Sequence, residues 1–418
     1  MRRSKRTRVL WCIKCLGYGG AERLLVSTAA ARDTERFDYE AAYVVPSKNA
    51  LVPELEATGV PVHCLGSSEH NGDLRWMRHL RRLLLDGRFD VVHFHLPYTA
   101  ALGRLVVRSL PRSARPRTMT TEHNMWATNP AIMRFLNTAT IRLDVANVAV
   151  SDSVKSAVPA RHRKRMEVIV HGVAPGNVDQ QARWRSEVRR ELGVGDDEVL
   201  VGTVANLRSG KGYDLLLPAA RALVDLDLPV RFAAVGVGPL ADDIDALHRR
   251  LGLGDRFLLL GGRADAVRVL AGFDVFTLPS LSEGFPVSVM EALALGVPTV
   301  TSAVGGIPGV VTDGVQGLMV TPGHYGELIR ALTRMVLDGA GRARMATAAR
   351  ACGAQFDIST AAQRIEAIYA DVTSPSGAGQ RAPAGTTVAG ALHLSSAAGS
   401  SAAGSSVAGS SAAEAARL

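Results

Sequence analysis

Short apolar runs alternate with longer amphipathic stretches along most of this chain, in two successive series. The runs are rich in Val, Ile and Leu and are bounded by Gly, Pro or polar residues, which is typical of strands buried on both faces of a parallel sheet. Strands that alternate with helices predict βαβ units rather than a sandwich or a helix bundle. The expected strands cover residues 9–16, 39–45, 62–65, 91–95, 117–121, 145–151 and 166–170, then 200–205, 231–235, 257–260, 275–278, 299–302 and 317–320.

The two series predict an α/β fold in which two Rossmann-like domains face each other across a cleft. The length of 418 residues accommodates two such domains. A polar, charged segment over about residues 176–197 separates the series, so the expected domains are residues 1–177 and 178–352, followed by a helix within 353–372. The cleft between the domains is the expected ligand site.

The last part of the chain, residues 373–418, has a different composition. It consists largely of Ser, Ala and Gly repeats with almost no aromatic or charged side chains. Such a segment cannot bury enough apolar surface to offset its loss of conformational entropy. We therefore expect a disordered C-terminal tail.

The net charge of +9 is unevenly distributed. Residues 1–178 contain 27 Lys and Arg against 15 Asp and Glu, a balance of +12, and the remaining residues contain 21 against 24, a balance of −3. A basic first half suits an anionic membrane surface or an acidic glycan. Nucleic acid is the least favoured partner, because no zinc-finger, RNA-binding or basic-zipper pattern accompanies the charge.

The N-terminal region gives no convincing targeting signal. Its basic residues are followed by an apolar run that contains Lys14 and stops at Gly17, and no stretch has the apolar length of a membrane helix. We expect a cytoplasmic protein, or one at the cytoplasmic face of the membrane. Cys12 and Cys15 have the Cys-x-x-Cys spacing, but they lie in a predicted buried strand, so reduced thiols are favoured and no metal site is expected.

Two carboxylates, Glu283 and Glu291, flank the start of a predicted helix. Glu283 follows the strand over residues 275–278, and Glu291 lies about two turns into the helix. The backbone amides near Gly284 and Phe285 would point into the cleft, where a helix N-terminus favours an anion. This arrangement suits an anionic, hydroxyl-rich ligand. The simpler alternative is an ordinary helix start with solvated carboxylates.

Two further turns follow central strands. Residues 17–23, which include Gly19 and Gly20, connect the first strand to the first helix, and small residues there allow a ligand to approach the backbone. Arg208 and Lys211 follow the first strand of the second series. Two cations at a helix N-terminus form a suitable diphosphate site and would stabilise a phosphate leaving group.

Two histidines, His95 and His123, end predicted strands of the first domain. An imidazole can exchange a proton near neutral pH or bind a sugar hydroxyl. A single strand-end histidine is more often structural.

The ordered set of motifs resembles the retaining glycosyltransferases of family 4, which have the GT-B fold, over about residues 8–370. The resemblance rests on Gly-Gly-Ala-Glu-Arg at 19–23, Thr-Glu-His-Asn at 121–124, Lys-Gly at 211–212, the segment from Glu283 to Glu291, and Gly-Val-Pro at 296–298. Three positions depart from the usual pattern: Asn206, His171 and Gly309.

The resemblance implies that the second domain binds a nucleoside diphosphate sugar, UDP- or GDP-linked, and that the first binds a glycan or lipid-linked acceptor. It implies a transfer without metal or other cofactor, in surface polysaccharide or glycolipid synthesis, and a C-terminal helix that crosses back to the first domain. The implied catalytic residues are His123, Glu283, Lys211 and Arg208. Glu283 would contact the donor sugar and Glu291 the ribose. The other residues expected at the donor are Gly19, Gly20, Gly262, Arg263, Gly284, Phe285, Pro286 and Val287.

Two alternatives share the architecture. A nucleotide-sugar 2-epimerase would isomerise the donor without an acceptor, and a catalytically silent partner would only bind it. Glu283, Glu291, Arg208 and Lys211 are all present, which argues against loss of the site.

Overall fold

Two parallel β-sheets form the centre of the molecule. The computed structural model describes residues 6–66, 73–174, 176 and 178–374. The predicted disordered tail lies outside the described residues from 375 onward. The first sheet has the order β3-β2-β1-β4-β5-β6-β7, and its strands are β1 (Thr7–Ile13), β2 (Phe37–Tyr43), β3 (Val62–Cys64), β4 (Val91–His95), β5 (Arg117–Glu122), β6 (Ala146–Ala149) and β7 (Met166–Val168).

The second sheet repeats this plan with six strands in the order β10-β9-β8-β11-β12-β13. All neighbouring strands of both sheets pair in parallel. The order is that of a doubly wound Rossmann-like sheet, so the predicted α/β class with two such domains is confirmed. Its strands are β8 (Val199–Val204), β9 (Val230–Val235), β10 (Phe257–Leu259), β11 (Val275–Leu278), β12 (Thr299–Ser302) and β13 (Gly317–Val320).

Helices cover both sheets, as parallel strands require. The helices between the strands of the first sheet bury apolar side chains such as Leu25 and Leu80 against it. The helices are α1 (Gly20–Ala31), α2 (Val52–Ala57), α3 (Arg75–Gly87), α4 (Pro97–Arg108), α5 (Ala131–Thr140), α6 (Asp152–Ala157), α7 (Ala160–Arg163), α8 (Val178–Glu191), α9 (Tyr213–Asp225), α10 (Ala241–Arg250), α11 (Ala266–Ala271), α12 (Val287–Leu295), α13 (Tyr325–Leu337), α14 (Gly339–Gly353) and α15 (Ile358–Thr373).

The expectation of a polar connecting segment over residues 176–197 is wrong for most of its length. Residues 178–191 form α8, which packs against α11. Val188 and Leu192 are buried in the core of the second domain, while Arg185 and Arg189 pair with Asp274 at 2.5 and 2.7 Å. The helix therefore buries one narrow apolar side, and its charged side chains form ion pairs. Because most of its residues are polar, the sequence does not show the apolar periodicity of a helix.

Successive strands extend each sheet first in one direction and then in the other. At the point where this direction changes, a crevice forms at the carboxyl ends of two neighbouring strands. In the first sheet these are β1 and β4, and in the second they are β8 and β11. The predicted turns after these strands therefore lie at the two positions where such sheets bind ligands. Within the described residues, no helix combines the length and the apolar character needed to span a membrane.

The last described helix, α15, packs on the first domain against α1 and β1. The carboxylate of Glu366 accepts hydrogen bonds from the backbone N–H of Asp33 at 2.9 Å and from the hydroxyl of Tyr39 at 2.8 Å. The Tyr369 hydroxyl accepts from the indole N–H of Trp11 at 3.2 Å, and the ring of Tyr369 is fully buried. Buried polar contacts thus hold the end of α15 on the first sheet.

Removal of the Tyr369 hydroxyl tests this attachment. Tyr369→Phe leaves the buried Trp11 N–H without a partner, so we expect the free energy of unfolding to fall by about 1–3 kcal/mol. Tyr325→Phe is the matched control, because its hydroxyl, bonded to the Pro218 carbonyl at 3.2 Å, belongs to a side chain that is 40% exposed. Urea denaturation of both variants measures the difference, and equal stabilities would show that the Tyr369 contact contributes nothing.

Candidate functional site

Two turns of the second domain meet because β8 and β11 are neighbours. The turn after β8 carries Lys211 and the turn after β11 carries Glu283. Their side chains form an ion pair, with 2.6 Å between the Lys211 Nζ and the Glu283 Oε1. Gly212 permits this approach: its φ is +77°, and a Cβ there would lie 2.1 Å from the Pro279 carbonyl oxygen. The structure therefore pairs two residues that the sequence places 72 positions apart.

Glu283 is held from a second direction as well. The Ser280 hydroxyl donates to its Oε1 at 2.7 Å, and the residue is 8% exposed. Its other carboxylate oxygen, Oε2, has no hydrogen-bond partner within the described residues. An ammonium has three donors, so Lys211 can bind Glu283 and still donate to a phosphate. The pair is thus fixed in place with bonding capacity on both members.

The backbone between Glu283 and α12 supplies further donors. The backbone N–H groups of Gly284 and Phe285 donate to no acceptor within the described part of the chain. Helix α12 begins after Pro286 without a side-chain cap. Val287 is the first residue of the helix. Unpaired amides at a helix N-terminus favour an anionic ligand.

Glu291 lies in the second turn of α12 and is 7% exposed. Its carboxylate has no hydrogen-bond partner among the described residues. Burial raises the pKa of Glu291 to about 7, and the positive charge of Arg23 opposes the shift. A buried carboxylate without a partner loses the hydration that it has in water, which a ligand hydroxyl would restore.

Arg208 extends into solvent in the turn after β8. No ion pair or hydrogen bond of its guanidinium lies within the described residues. Its charge acts on two groups of the first domain, Lys14 and Glu22. Burial is the main cause that lowers the pKa of Lys14, and the charges of Lys48 and Arg208 lower it further. The Arg208 charge also opposes the rise that burial imposes on the pKa of Glu22. Three cations therefore converge at the mouth of the cleft.

The glycine turn of the first domain contacts the second domain directly. A Cβ at Gly20 would lie 3.1 Å from the Val287 side chain, and one at Gly262 would lie 3.0 Å from the ring of Tyr18. Gly19 adjoins the carboxylate of Glu22, which accepts a hydrogen bond from the Cys15 thiol at 3.0 Å. The structure therefore brings Gly19, Gly20, Gly262 and Val287 to the contact between the domains.

Arg263 faces a different set of partners. Its guanidinium binds Asp265 at 2.8 Å and Glu191 at 2.7 Å, and Arg268 shares both carboxylates. These ion pairs connect α8 with the start of α11. The structure does not bring the Arg263 side chain to Lys211 and Glu283, and its expected donor contact stays a prediction.

Four histidines of the first domain lie in a row. The centroids of the rings of His93 and His95 are 4.2 Å apart, those of His95 and His123 are 5.4 Å apart, and His171 stacks on His123 at 5.5 Å. The row begins at Tyr369 of α15, whose hydroxyl lies 2.6 Å from the His93 Nδ1. Burial holds the pKa of His93, His95 and His123 well below the usual value and lowers that of His171 to about 4, so all four rings are neutral at pH 7.

His123 also meets the loop that carries Glu283. A Cβ at Gly284 would lie 2.2 Å from the His123 carbonyl oxygen, so only glycine fits there. The Ser151 hydroxyl of the first domain lies 3.4 Å from the Gly284 carbonyl oxygen. The site thus contains groups from both domains: cations, free amides and carboxylates from the second, and imidazoles from the first. No group of His, Cys, Asp or Glu side chains suited to a metal ion occurs among the described residues.

Comparison with protein families agrees with this geometry. Residues 18–176 match the model described as Glycosyltransferase Family 4, and residues 185–351 match the model described as Glycosyl transferases group 1. The chain belongs to the family 4 glycosyltransferases.

Two curated relatives are D-inositol 3-phosphate glycosyltransferases. The chain is 34% identical to that of Corynebacterium aurimucosum over 200 residues, which are 46% of this chain and 48% of the relative. It is 30% identical to that of Actinosynnema mirum over 273 residues, which are 60% of this chain and 65% of the relative. The matches thus span less than two thirds of these relatives.

A solved structure shows the same fold at low identity. Anabaena HepE in complex with UDP and glucose aligns with a TM-score of 0.74 and 22% identity, over 87% of this chain and 99% of HepE. The predicted GT-B fold of this family is therefore confirmed.

Three residues were not predicted as site residues. Hydrogen bonds and ring stacking across the fold define the positions of Ser280, His93 and His171. His171 drew attention only as a departure from the family pattern. Its position against His123 could have been found only from the spatial arrangement of the strands.

The titration of Glu291 can be measured through stability. The folded pKa of about 7 lies above the ordinary 4.5, so the contribution of Glu291 to stability is greatest below pH 4.5 and falls by up to about 3 kcal/mol as the pH rises through 7. The Gln side chain of Glu291→Gln cannot ionise. We therefore expect the free energy of unfolding of this variant, relative to that of the original protein, to increase between pH 4.5 and 7 and to stay constant above pH 7. Denaturation across this pH range measures the gain, with the exposed Glu35→Gln as control, and parallel curves would contradict the assignment.

Proposed function

We propose that this protein transfers a sugar from a nucleoside diphosphate donor to a hydroxyl of a glycan or lipid-linked acceptor, with retention of anomeric configuration. The observation that carries the proposal is the pairing of Lys211 with Glu283 at the switch point of the second sheet, beside free amides and opposite His123. Cations and amides suit a diphosphate, and a carboxylate with a free oxygen suits sugar hydroxyls.

Each group of the site has a role in this reaction. Arg208, Lys211 and the amides of Gly284 and Phe285 would bind the diphosphate and stabilise the charge that develops on it as the glycosidic bond breaks. Glu283 would bind the donor sugar through its free oxygen. The leaving phosphate would accept the proton of the acceptor hydroxyl on the same face of the sugar, as the family resemblance implies.

Glu291 would accept hydrogen bonds from the ribose hydroxyls inside the cleft. Its lack of a protein partner supports this role, because an ionised carboxylate at that depth needs hydrogen-bond donors. His123 would donate to, or accept from, the sugar that reacts. Pro286 and Val287 would line the same side of the donor.

The donor base is proposed from the structural neighbour. HepE has been crystallised with UDP and glucose, which favours a uridine nucleotide here, with a guanosine nucleotide as the alternative. The names of the curated relatives point to a polyol phosphate acceptor, but the matches span less than two thirds of them, so the broader acceptor class is retained. We further propose that transfer needs no metal and takes place at the cytoplasmic face of the membrane, in synthesis of a surface polysaccharide or glycolipid.

Binding of a donor panel tests the proposal. Calorimetry with UDP-, GDP- and ADP-linked sugars should detect one preferred nucleotide, in the presence of a chelator as well as in its absence. Lys211→Ala and Glu291→Ala each remove a charge-assisted contact, so each should weaken binding of that donor by about 1–3 kcal/mol. Lys164→Ala, which removes an exposed lysine of the first domain, is the matched control. Failure to bind any nucleotide sugar would refute the proposal.

Product analysis separates transfer from the two alternatives. Transfer releases nucleoside diphosphate only when an acceptor is supplied. Isomerisation of the donor without acceptor would instead identify an epimerase, and binding without either reaction would identify a silent partner.

A further inference from the structure

Helix α5 exposes its apolar side chains and buries its polar ones. Phe135 is 69% exposed and Ile132 60% exposed, and with Leu136 and Ala139 they follow the i, i+3, i+4, i+7 spacing of one helix face. These four residues are called the α5 outer face. A helix on a water-soluble domain ordinarily has the opposite orientation.

Polar contacts beneath α5 fix this orientation. Asn137 and Thr140 point inward, where both accept hydrogen bonds from the fully buried guanidinium of Arg104. Arg104 also binds Asp144 at 2.7 Å, and the Asn137 amide donates to Glu122 at 2.7 Å. Rotation of α5 to bury Phe135 would remove two hydrogen-bond partners from the buried guanidinium of Arg104, so the apolar residues stay outside.

The α5 outer face lies close to the proposed site. The strand β5 ends at Glu122, His123 follows it, and α5 begins at Ala131. The first two turns of the helix, which carry Ile132 and Phe135, therefore lie toward the carboxyl edge of the sheet, where the cleft opens.

The part of the chain that contains α5 is positively charged. Residues 97–143, which form α4, α5 and their connections to β5, contain seven arginines and a single acidic residue, the buried Glu122. Since Arg104 is buried, six arginines keep contact with solvent: Arg108, Arg112, Arg115, Arg117, Arg134 and Arg142. The same stretch contains two exposed leucines, Leu105 on α4 and Leu143 after α5.

We propose that the α5 outer face docks on a membrane surface that contains anionic lipids. Aromatic and aliphatic side chains would enter the interface while arginines of residues 97–143 bind the head groups, which is the balance that interfacial helices use. A second copy of the chain is disfavoured, because a two-fold contact through this face would set arginines against arginines. The inference rests on the proposed function, since docking here would bring a lipid-linked acceptor to the cleft.

Flotation of the full chain with phospholipid vesicles tests the proposal. We expect binding to vesicles of equal parts phosphatidylcholine and phosphatidylglycerol, weaker binding to phosphatidylcholine alone, and weaker binding at high salt. Phe135→Ser should reduce binding to the anionic vesicles about tenfold or more, while Phe135→Trp should retain it. Leu226→Ser is the matched control, because Leu226 of the second domain is 61% exposed.

Three results would overturn docking. They are absence of binding by the original protein, equal binding by Phe135→Ser, and a dimer in size-exclusion chromatography that Phe135→Ser disperses. Donor calorimetry on the same proteins keeps this test separate from the proposed function: Phe135→Ser should bind the nucleotide sugar as the original does, and vesicle binding without donor binding would refute the transferase alone.

An independent observation concerns His95 and His123. The Nδ1 of His95 lies 3.1 Å from the Nε2 of His123, so one neutral ring donates to the other. If His123 donated, His95 would carry its proton on Nε2, a fully buried atom with no partner within the described residues. Orphaned buried N–H groups are rarer than orphaned acceptors. The favoured arrangement has His95 as the donor.

We infer that His95 is a positioning residue that keeps the proton of His123 on Nδ1. The Nδ1 of His123 has no partner within the described residues and is not fully buried, so it offers an N–H donor to the cleft. In this state His123 binds a ligand oxygen and does not act as a base through Nδ1.

Nitrogen-15 NMR of histidine-labelled protein detects this proton directly, with no nucleotide sugar or sugar acceptor added. We expect a protonated-type Nδ1 and an unprotonated-type Nε2 for His123, assigned by their loss in His123→Gln. His95→Phe should move proton occupancy toward Nε2, whereas His95→Asn, whose amide can donate from the position of Nδ1, should preserve it. A protonated Nε2 in the original protein, or an unchanged His123 in a folded His95→Phe, would overturn the inference.

Discussion

The parallel pairing of β8 with β11 is the constraint on which the site depends. It brings together two turns that are distant in the sequence, and the ion pair between Lys211 and Glu283 follows from that proximity. The ion pair and the Ser280 hydroxyl in turn hold the Glu283 side chain in place at a position that is mostly shielded from water. The amides of α12 and the groups of the first domain face this pair, so a shift in strand register would separate all of them at once.

The first sheet repeats the same geometry with different chemistry. Where the second domain presents cations and amides, the first presents imidazoles that end in the hydroxyl of Tyr369. Because α15 supplies that hydroxyl, the C-terminal helix contributes to the order of the histidine row as well as to the core. A contact far along the sequence thereby supports residues at the cleft.

Much of the fold could be predicted from the sequence because strands buried on both faces leave a continuous apolar signal, as at Val275–Leu278. Helix α8 could not, since its stability comes from ion pairs with Asp274 and from Val188, a buried apolar side chain among charged neighbours. In the site, the sequence was enough to predict which residue types are present and which strands they follow. Their partners were not: the bond from Lys211 to Glu283, the separate ion pairs of Arg263 and the stacking of His171 are properties of three-dimensional packing.

The neutrality of the histidine row affects how the pH dependence of this protein should be interpreted. An inflection near neutral pH is ordinarily assigned to an imidazole. Here burial keeps the rings uncharged well below that range, whereas the carboxyl group of Glu291 titrates at about 7. A neutral-range transition at the cleft would therefore report the Glu291 carboxyl group as it gains negative charge, and the cleft would lose net positive charge as the pH rises.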